Sequence, residues 1–322
     1  MSHKSSILFL GAVLAVLGAG CEGAFTPKGP YQDRMVVYGI LTNRADTQYV
    51  RIHTTYNPAG FDPLTVSEES VVRDADVKVA ESSKLFTFRQ GTASRRDKSR
   101  YNDDVTIYIS YPFSLEAGKT YDLTVSSPRY GTVTSSVTVP RRGRVQIFNS
   151  YVLNGRGTAD EDLVIYGWIR ELTYGVLARL YLIYETQEGD TWVRHTDEVP
   201  SSMVKYDDGT KEFFYPNLRR RESPGVIREK EVTESFVFSR TAYVERLNDL
   251  FTRYPSGRLR IKYGLIILTQ VDQNFYRYSK IVHGFEDPYS IRTDTPDFTN
   301  IAGGRGIFGA MVEDSLLVEL SF

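Results

Sequence analysis

Thr120-Tyr121-Asp122-Leu123-Thr124-Val125 changes from polar to apolar at every step, and after the turn signal Pro128-Arg129-Tyr130-Gly131 the same period returns in Val133-Thr134-Ser135-Ser136-Val137-Thr138-Val139. A period of two places alternate side chains on opposite faces, so each segment reads as a strand with one buried face. Working upstream, the pattern recurs. Val105, Ile107 and Ile109 alternate with Thr106, Tyr108 and Ser110. Phe86 and Phe88 alternate with Thr87 and Arg89, Val77 and Val79 with Asp76 and Lys78, and Val50, Ile52 and Thr54 with Tyr49, Arg51 and His53. No helical period interrupts this block before Pro140. Short strands joined by turn residues predict a small antiparallel β-sandwich over 34–140.

Downstream, Arg141-Arg142-Gly143-Arg144 marks the expected boundary, because Pro, Gly and charge cluster between two apolar strands. Residues 163–169, 176–185, 236–238 and 259–268 read as further strands, and the chain closes on Leu316, Val318, Leu320 and Phe322 in alternation. Two helices are expected in the 141–322 domain. Ser239 or Thr241 can cap one near 241–254, where Tyr243, Val244, Leu247, Leu250, Phe251 and Tyr254 recur at helical spacing. Asp272 can cap the other near 272–283, which ends at His283-Gly284. The expected class is mainly β, two domains in sequence.

The composition agrees with sheet. Of 322 residues 41% are hydrophobic, and 22 Tyr and 17 Phe favour a pleated, half-buried surface. With 39 Lys+Arg against 40 Asp+Glu, the formal charge of −1 gives no electrostatic reason to expect nucleic-acid binding. The single cysteine, Cys21, excludes both an intramolecular disulfide and a four-thiolate zinc site.

That cysteine has a context of its own. Lys4 precedes an uncharged run over 7–17, and Gly18-Ala19-Gly20 leads into Cys21. Residues 1–20 therefore read as a secretory signal peptide. As a helix the apolar run would be about 16 Å long, half the thickness of a hydrocarbon core, too short to anchor the chain. The small residues before Cys21 resemble a bacterial lipobox, with Gly18 standing where that pattern prefers Leu. The resemblance implies cleavage before Cys21, then diacylation (palmitate and the like) and N-acylation, which together give strong anchoring. Glu22, rather than Asp, follows the cysteine, which favours the outer membrane; the face is open. Residues 21–33, with Gly23, Pro27, Gly29 and Pro30, read as a lipidated tether.

Candidate chemistry is sparse. Gly304-Arg305-Gly306-Ile307-Phe308-Gly309 matches the dinucleotide spacing, but a strand rather than a helix follows it, so a turn or close backbone packing is the expected role. His53, His195 and His283 lack metal-binding or triad spacing, and no nucleophile elbow is found. Asp287, Asp294 and Asp297 cluster without the spacing of a calcium loop. The basic runs Arg141-Arg142-Gly143-Arg144 and Arg219-Arg220-Arg221 are of the kind that binds phosphate or another anion, although solvated loops are their ordinary explanation. No catalytic residue, cofactor or metal site is assigned. The terminal strand also resembles the closing strand of an outer-membrane barrel; the two amphipathic helices and the lipobox favour a tethered soluble protein instead.

Several stretches together carry a family resemblance: Met35-Val36-Val37-Tyr38-Gly39-Ile40-Leu41, residues 118–125 with Val137-Thr138-Val139-Pro140, and above all residues 299–310, Thr299-Asn300-Ile301-Ala302-Gly303-Gly304 continuing to Ala310. The chain resembles lipoproteins of domain-of-unknown-function family 4249, usually encoded beside TonB-dependent outer-membrane receptors. The resemblance implies an N-terminal immunoglobulin- or transthyretin-like β-sandwich, a second antiparallel β-rich domain with two helices, and an outer-membrane address; it brings no activity and no catalytic residues. The expected function is binding: an accessory to a TonB-dependent receptor in nutrient uptake or receptor assembly, taking a small-molecule or glycan ligand. A structural or adhesion lipoprotein, which would need no concave aromatic pocket, and a carboxylate-based hydrolase are the alternatives.

Overall fold

The computed structural model describes residues 31–57, 68–95, 98, 101, 103–158, 160–221, 231–255, 257–283 and 298–321. Cys21 and the Asp287, Asp294 and Asp297 cluster lie outside the described residues. The first block holds β1 (Met35–Thr42), β2 (Gln48–Thr54), β3 (Asp76–Glu81), β4 (Lys84–Ala93), β5 (Val105–Ser110), β6 (Thr120–Ser127) and β7 (Gly131–Thr138). After it come β8 (Arg144–Ile147), β9 (Leu163–Arg170), β10 (Gly175–Glu188), β11 (Thr191–Glu198), β12 (Ser202–Lys205), β13 (Lys211–Phe214), β14 (Arg219–Arg220) and β15 (Glu231–Phe238). Helix α1 (Arg240–Arg253), β16 (Leu259–Val271), helix α2 (Gln273–His283) and β17 (Arg305–Glu319) complete the described chain. The protein is mainly β, as its alternation predicts.

Strand β4 makes the first block a sandwich. Its first half pairs with β3, Val77 opposite Phe88, and its second half pairs with β5, Arg89 opposite Ile109. One chain segment thereby turns from one sheet into the other. On one side lie β3, β6 and β7; on the other lie β5, β2, β1 and then β17. Val77, Val79, Leu123, Val125, Val133 and Val137 from the first sheet bury against residues of the second such as Val37, Val50, Ile52 and Phe308. Phe86 stacks on Phe113 with centroids 3.8 Å apart, and Tyr121 closes on the same ring at 5.6 Å.

Strand β5 departs from expectation. Thr106, Tyr108 and Ser110 are buried as well as Ile107, and Val105 and Ile109 are only half-buried. Tyr108 can sit inside because it satisfies its own polar end: its hydroxyl donates to Val72 O at 2.9 Å and accepts from Ala75 N at 3.1 Å. A tyrosine so partnered brings its ring inside at little polar cost.

The second block uses longer strands. The sheet order β11-β10-β16-β17 runs on directly into β1, so the sheet crosses the expected boundary at residue 140, and Arg34–Phe322 forms one compact unit. The apolar packing does divide there. One cluster runs up to Val139 and takes in Ile301, Phe308, Ala310 and Val312 from the end of the chain; the other runs from Val145 to Leu268 with Leu320. The second core places Ala178, Leu180, Leu182 and Tyr184 of β10 beneath a separate three-stranded layer, β15-β9-β8, and beneath α1 through Tyr243, Leu247 and Leu250. Ser239 caps α1 by accepting from Ala242 N.

Strand β17 corrects two expectations. It pairs with β1 in parallel, Val37 opposite Gly306 and Leu41 opposite Ala310, rather than antiparallel. It also begins well before Leu316, and its early part, with Phe308, Ala310 and Val312, packs in the first core rather than within the 141–322 block. The glycines make that pairing possible. Gly306 has φ +105°, and a Cβ there would lie 2.1 Å from Val37 O. Close backbone packing, the expected role of the glycine run, is what the residue supplies.

Candidate functional site

The two basic runs, about eighty residues apart in sequence, meet at one cavity. It measures about 770 Å³, within the range that takes a small ligand. Its wall is made by the end of β7, the β9–β10 turn, β14 and the start of α2, with Arg141, Glu171, Tyr174, Arg220, Arg221 and Asn274 among its lining side chains.

Each side of the wall is held by a specific bond. Arg141 N donates to Glu171 O at 3.3 Å, and its guanidinium pairs with the Glu171 carboxylate at 2.5 Å. Buried Gln270 of β16 donates from Nε2 to Arg141 O and to Thr173 Oγ1, both at 2.8 Å, tying linker to turn. Gly143 makes room for that bridge: a Cβ there would meet Gln270 Oε1 at 2.0 Å. Tyr174 O accepts from Arg221 N at 3.0 Å, which places Arg220 and Arg221 beside the turn. The Arg220 guanidinium sits 5.0 Å over the Tyr174 ring, and Tyr276 of α2 lies 5.2 Å from the same ring.

The three arginines of the second run have different fates. Arg219 pairs with buried Glu234 at 3.2 Å and lies 4.5 Å over Phe236. Arg220 and Arg221 have no ion pair among the described residues. The first run splits likewise: Arg142 pairs with Asp314 at 2.7 Å, and Arg144 lies 5.4 Å over the Trp168 ring. At the cavity edge Asp272 accepts from Asn274 N at 2.7 Å, Phe275 N at 3.2 Å and Ala310 N at 2.9 Å. Burial pushes its carboxyl above the ordinary aspartate range against the pull of those bonds. Asp272 is thus the expected helix cap, and it also locks α2 to β17.

The histidines sit elsewhere. His53 stacks on Tyr38 at 5.3 Å, and burial, with Arg51 nearby, lowers it to about 4. His195 bonds Thr186 Oγ1 at 2.7 Å and stacks on Tyr184 at 5.1 Å. Asp197 spends its carboxylate on Tyr184 OH and Arg246, so His195 and Asp197 do not form a relay. His283 is the last residue of α2. Among the described residues no three His, Cys, Asp or Glu side chains are grouped to hold a metal ion, and no helix is long and apolar enough to cross a membrane. The chemistry this arrangement offers is recognition: cationic forks, aromatic edges and hydroxyls around a concavity. Sequence reading flagged both arginine runs singly; their convergence depends on a two-residue strand, β14, with no periodic signal.

Fold and cavity together define a two-core β protein with an arginine-lined cleft. The family model for "Domain of unknown function (DUF4249)" matches residues 23–316, and the chain belongs to that family. No curated protein matches it. Among solved structures, it is similar to the C-terminal globular domain of an oligosaccharyltransferase from Pyrococcus abyssi, with 12% identity and a TM-score of 0.22 over 73% of this chain. The match covers 48% of that structure, so the chain spans about half its length.

Proposed function

We propose that this protein is a lipid-anchored binding protein of the outer membrane that works beside a TonB-dependent receptor, holding a ligand for uptake or steadying the receptor assembly. The observation that carries the binding role is the basic, aromatic-edged cavity between the β9–β10 turn and α2. A spacer or adhesion module has no need of such a concavity. The anchor rests on Cys21 behind its small-residue approach and on the short apolar leader.

The test is purification from detergent-solubilised membranes, with mass spectrometry of the N-terminal peptide. The expected result is an acylated Cys21 and co-purification of a receptor. A bare thiol on a protein free in the periplasm or medium overturns the anchored reading. Repeated recovery of the acylated protein alone overturns the receptor partnership. Replacing Cys21 by Ser should release the chain from the membrane and leave its fold unchanged.

A further inference from the structure

We propose that the cavity recognises an oxyanion, a carboxylate, sulfate or phosphate group, carried on a ring or other apolar body. The proposal deepens the binding role above and rests on it for the ligand's source. Its strongest support is Arg221. The Nε and Nη2 atoms of this cavity-lining side chain are buried and have no hydrogen-bond partner among the described residues. A buried charged donor left unmet is costly, so an unmet guanidinium fork at a cavity wall calls for an acceptor. Arg219 and Arg246 also have an unmet Nε, but each spends other nitrogens on a carboxylate. The Arg221 side chain has no such partner among the described residues.

Other features point to the same ligand. Arg220 lies over Tyr174 without an ion pair among the described residues, so it adds a second cation already positioned by a ring. Guanidinium groups match the planar oxygens of carboxylate and phosphate with paired bonds. Thr173 accepts from Gln270, which leaves its own hydroxyl proton to donate. The start of α2 supplies little, because the Asp272 carboxylate already takes two of its N–H groups. Recognition of charge therefore falls to the arginines. The apolar body has its own surface: Leu172, 48% exposed at the cavity with φ +67°, holds an apolar side chain at a turn position where glycine or asparagine is usual. Beside it the Tyr174 ring, backed by Tyr276 at 5.2 Å, offers a stacking edge.

Calorimetric titration of the full chain in detergent, with phenyl phosphate, inorganic phosphate and phenol as probes, tests the assignment. Phenyl phosphate should bind with a Kd of about 1 mM or tighter and more tightly than either fragment. Arg221→Gln should weaken it by about tenfold or more, and Arg221→Lys should restore part of the loss. Arg220→Gln, at an exposed position, carries the test should Arg221→Gln fail to fold. Absence of heat with either anion, equal binding of phenol, or affinity indifferent to both arginines overturns the oxyanion assignment. Inorganic phosphate binding as tightly as phenyl phosphate overturns the apolar body. A chain that co-purifies with a receptor yet binds neither anion breaks this inference and leaves the anchored reading standing.

Discussion

The first core and the second present the same kind of strand face and cover it in different ways. In the first, Val77, Val79, Leu123 and Val125 meet a second sheet built from neighbouring strands of the same block, and the ring stack of Phe86, Phe113 and Tyr121 fills one part of it. In the second, the long strands β10 and β16 are roofed by the separate β15-β9-β8 layer and by α1, whose Tyr243 hydroxyl donates to Leu153 O at 2.6 Å. Alternation tells which face of a strand is buried; it does not tell what lies over it. Among the described residues the one element common to both is β17. Phe308, Ala310 and Val312 pack in the first core, and Leu316, Val318 and Leu320 in or against the second, all in the same register. The comparison teaches that a single continuous strand face can serve two cores.

The sharpest way to break this picture is Gly306→Ala. The added Cβ would meet Val37 O at 2.1 Å, with φ at +105° where only glycine is at ease. Loss of roughly 4 kcal/mol or more is expected, since backbone clash and backbone strain coincide. Hydrogen exchange should show β1 and the early part of β17 opening first. Should β10 and β16 open to the same extent at the same temperature, the cores are one cooperative unit rather than two joined by a strand.

A double-mutant cycle sharpens the same question. Phe308→Ala in the first core is expected to cost about 3–5 kcal/mol and Leu268→Ala in the second about 2–5 kcal/mol. With independent cores the two losses add within about 0.5 kcal/mol in denaturant melts. A larger coupling would show that β17 transmits strain from one to the other.

Much of this was legible in the residues. The strands of the first block and both helices follow from periods of two and 3.6, and Ser239 and Asp272 were readable as caps because their side chains compete for free helix N–H groups. Less legible were features set by distant partners. The parallel pairing of β17 with β1 joins the two ends of the described chain, and no local pattern encodes it. The inward turn of Tyr108 depends on Val72 and Ala75, more than thirty residues away. The cavity is the extreme case. Arg141 and Arg221 read alone as solvated charge, and only the Gln270 bridge and the two-residue β14 bring them to one wall.

Acid should separate the cores more gently. His53, on a first-core strand, has its folded-state value lowered to about 4 from 6.5, so on acidification the unfolded chain takes the proton first. Its contribution is complete above pH 6.5 and is lost as pH falls toward 4. The loss should reach about 2–3 kcal/mol. His53→Gln should flatten that part of the stability profile, read as melting temperature against pH. An unchanged profile would assign the acid sensitivity to other groups.

The smallest expected effect falls where the cores meet. Asp314 lies in the same register of β17 as Val312 and Leu316, the polar position between two apolar sets. Its carboxylate accepts from Arg142 at 2.7 Å and from Val145 N at 3.0 Å, so it holds the linker at the place where the packing changes from one cluster to the other. Arg142 is exposed and its ion pair is worth little; the bond to the Val145 backbone is the firmer one. Asp314→Ala should therefore cost about 1–2 kcal/mol and loosen the amides of 142–147 in hydrogen exchange. Asp314→Asn keeps an acceptor and should retain most of the stability. Protection of 142–147 unchanged in Asp314→Ala would mean that the Val145 contact to the second core, not the carboxylate, fixes the linker.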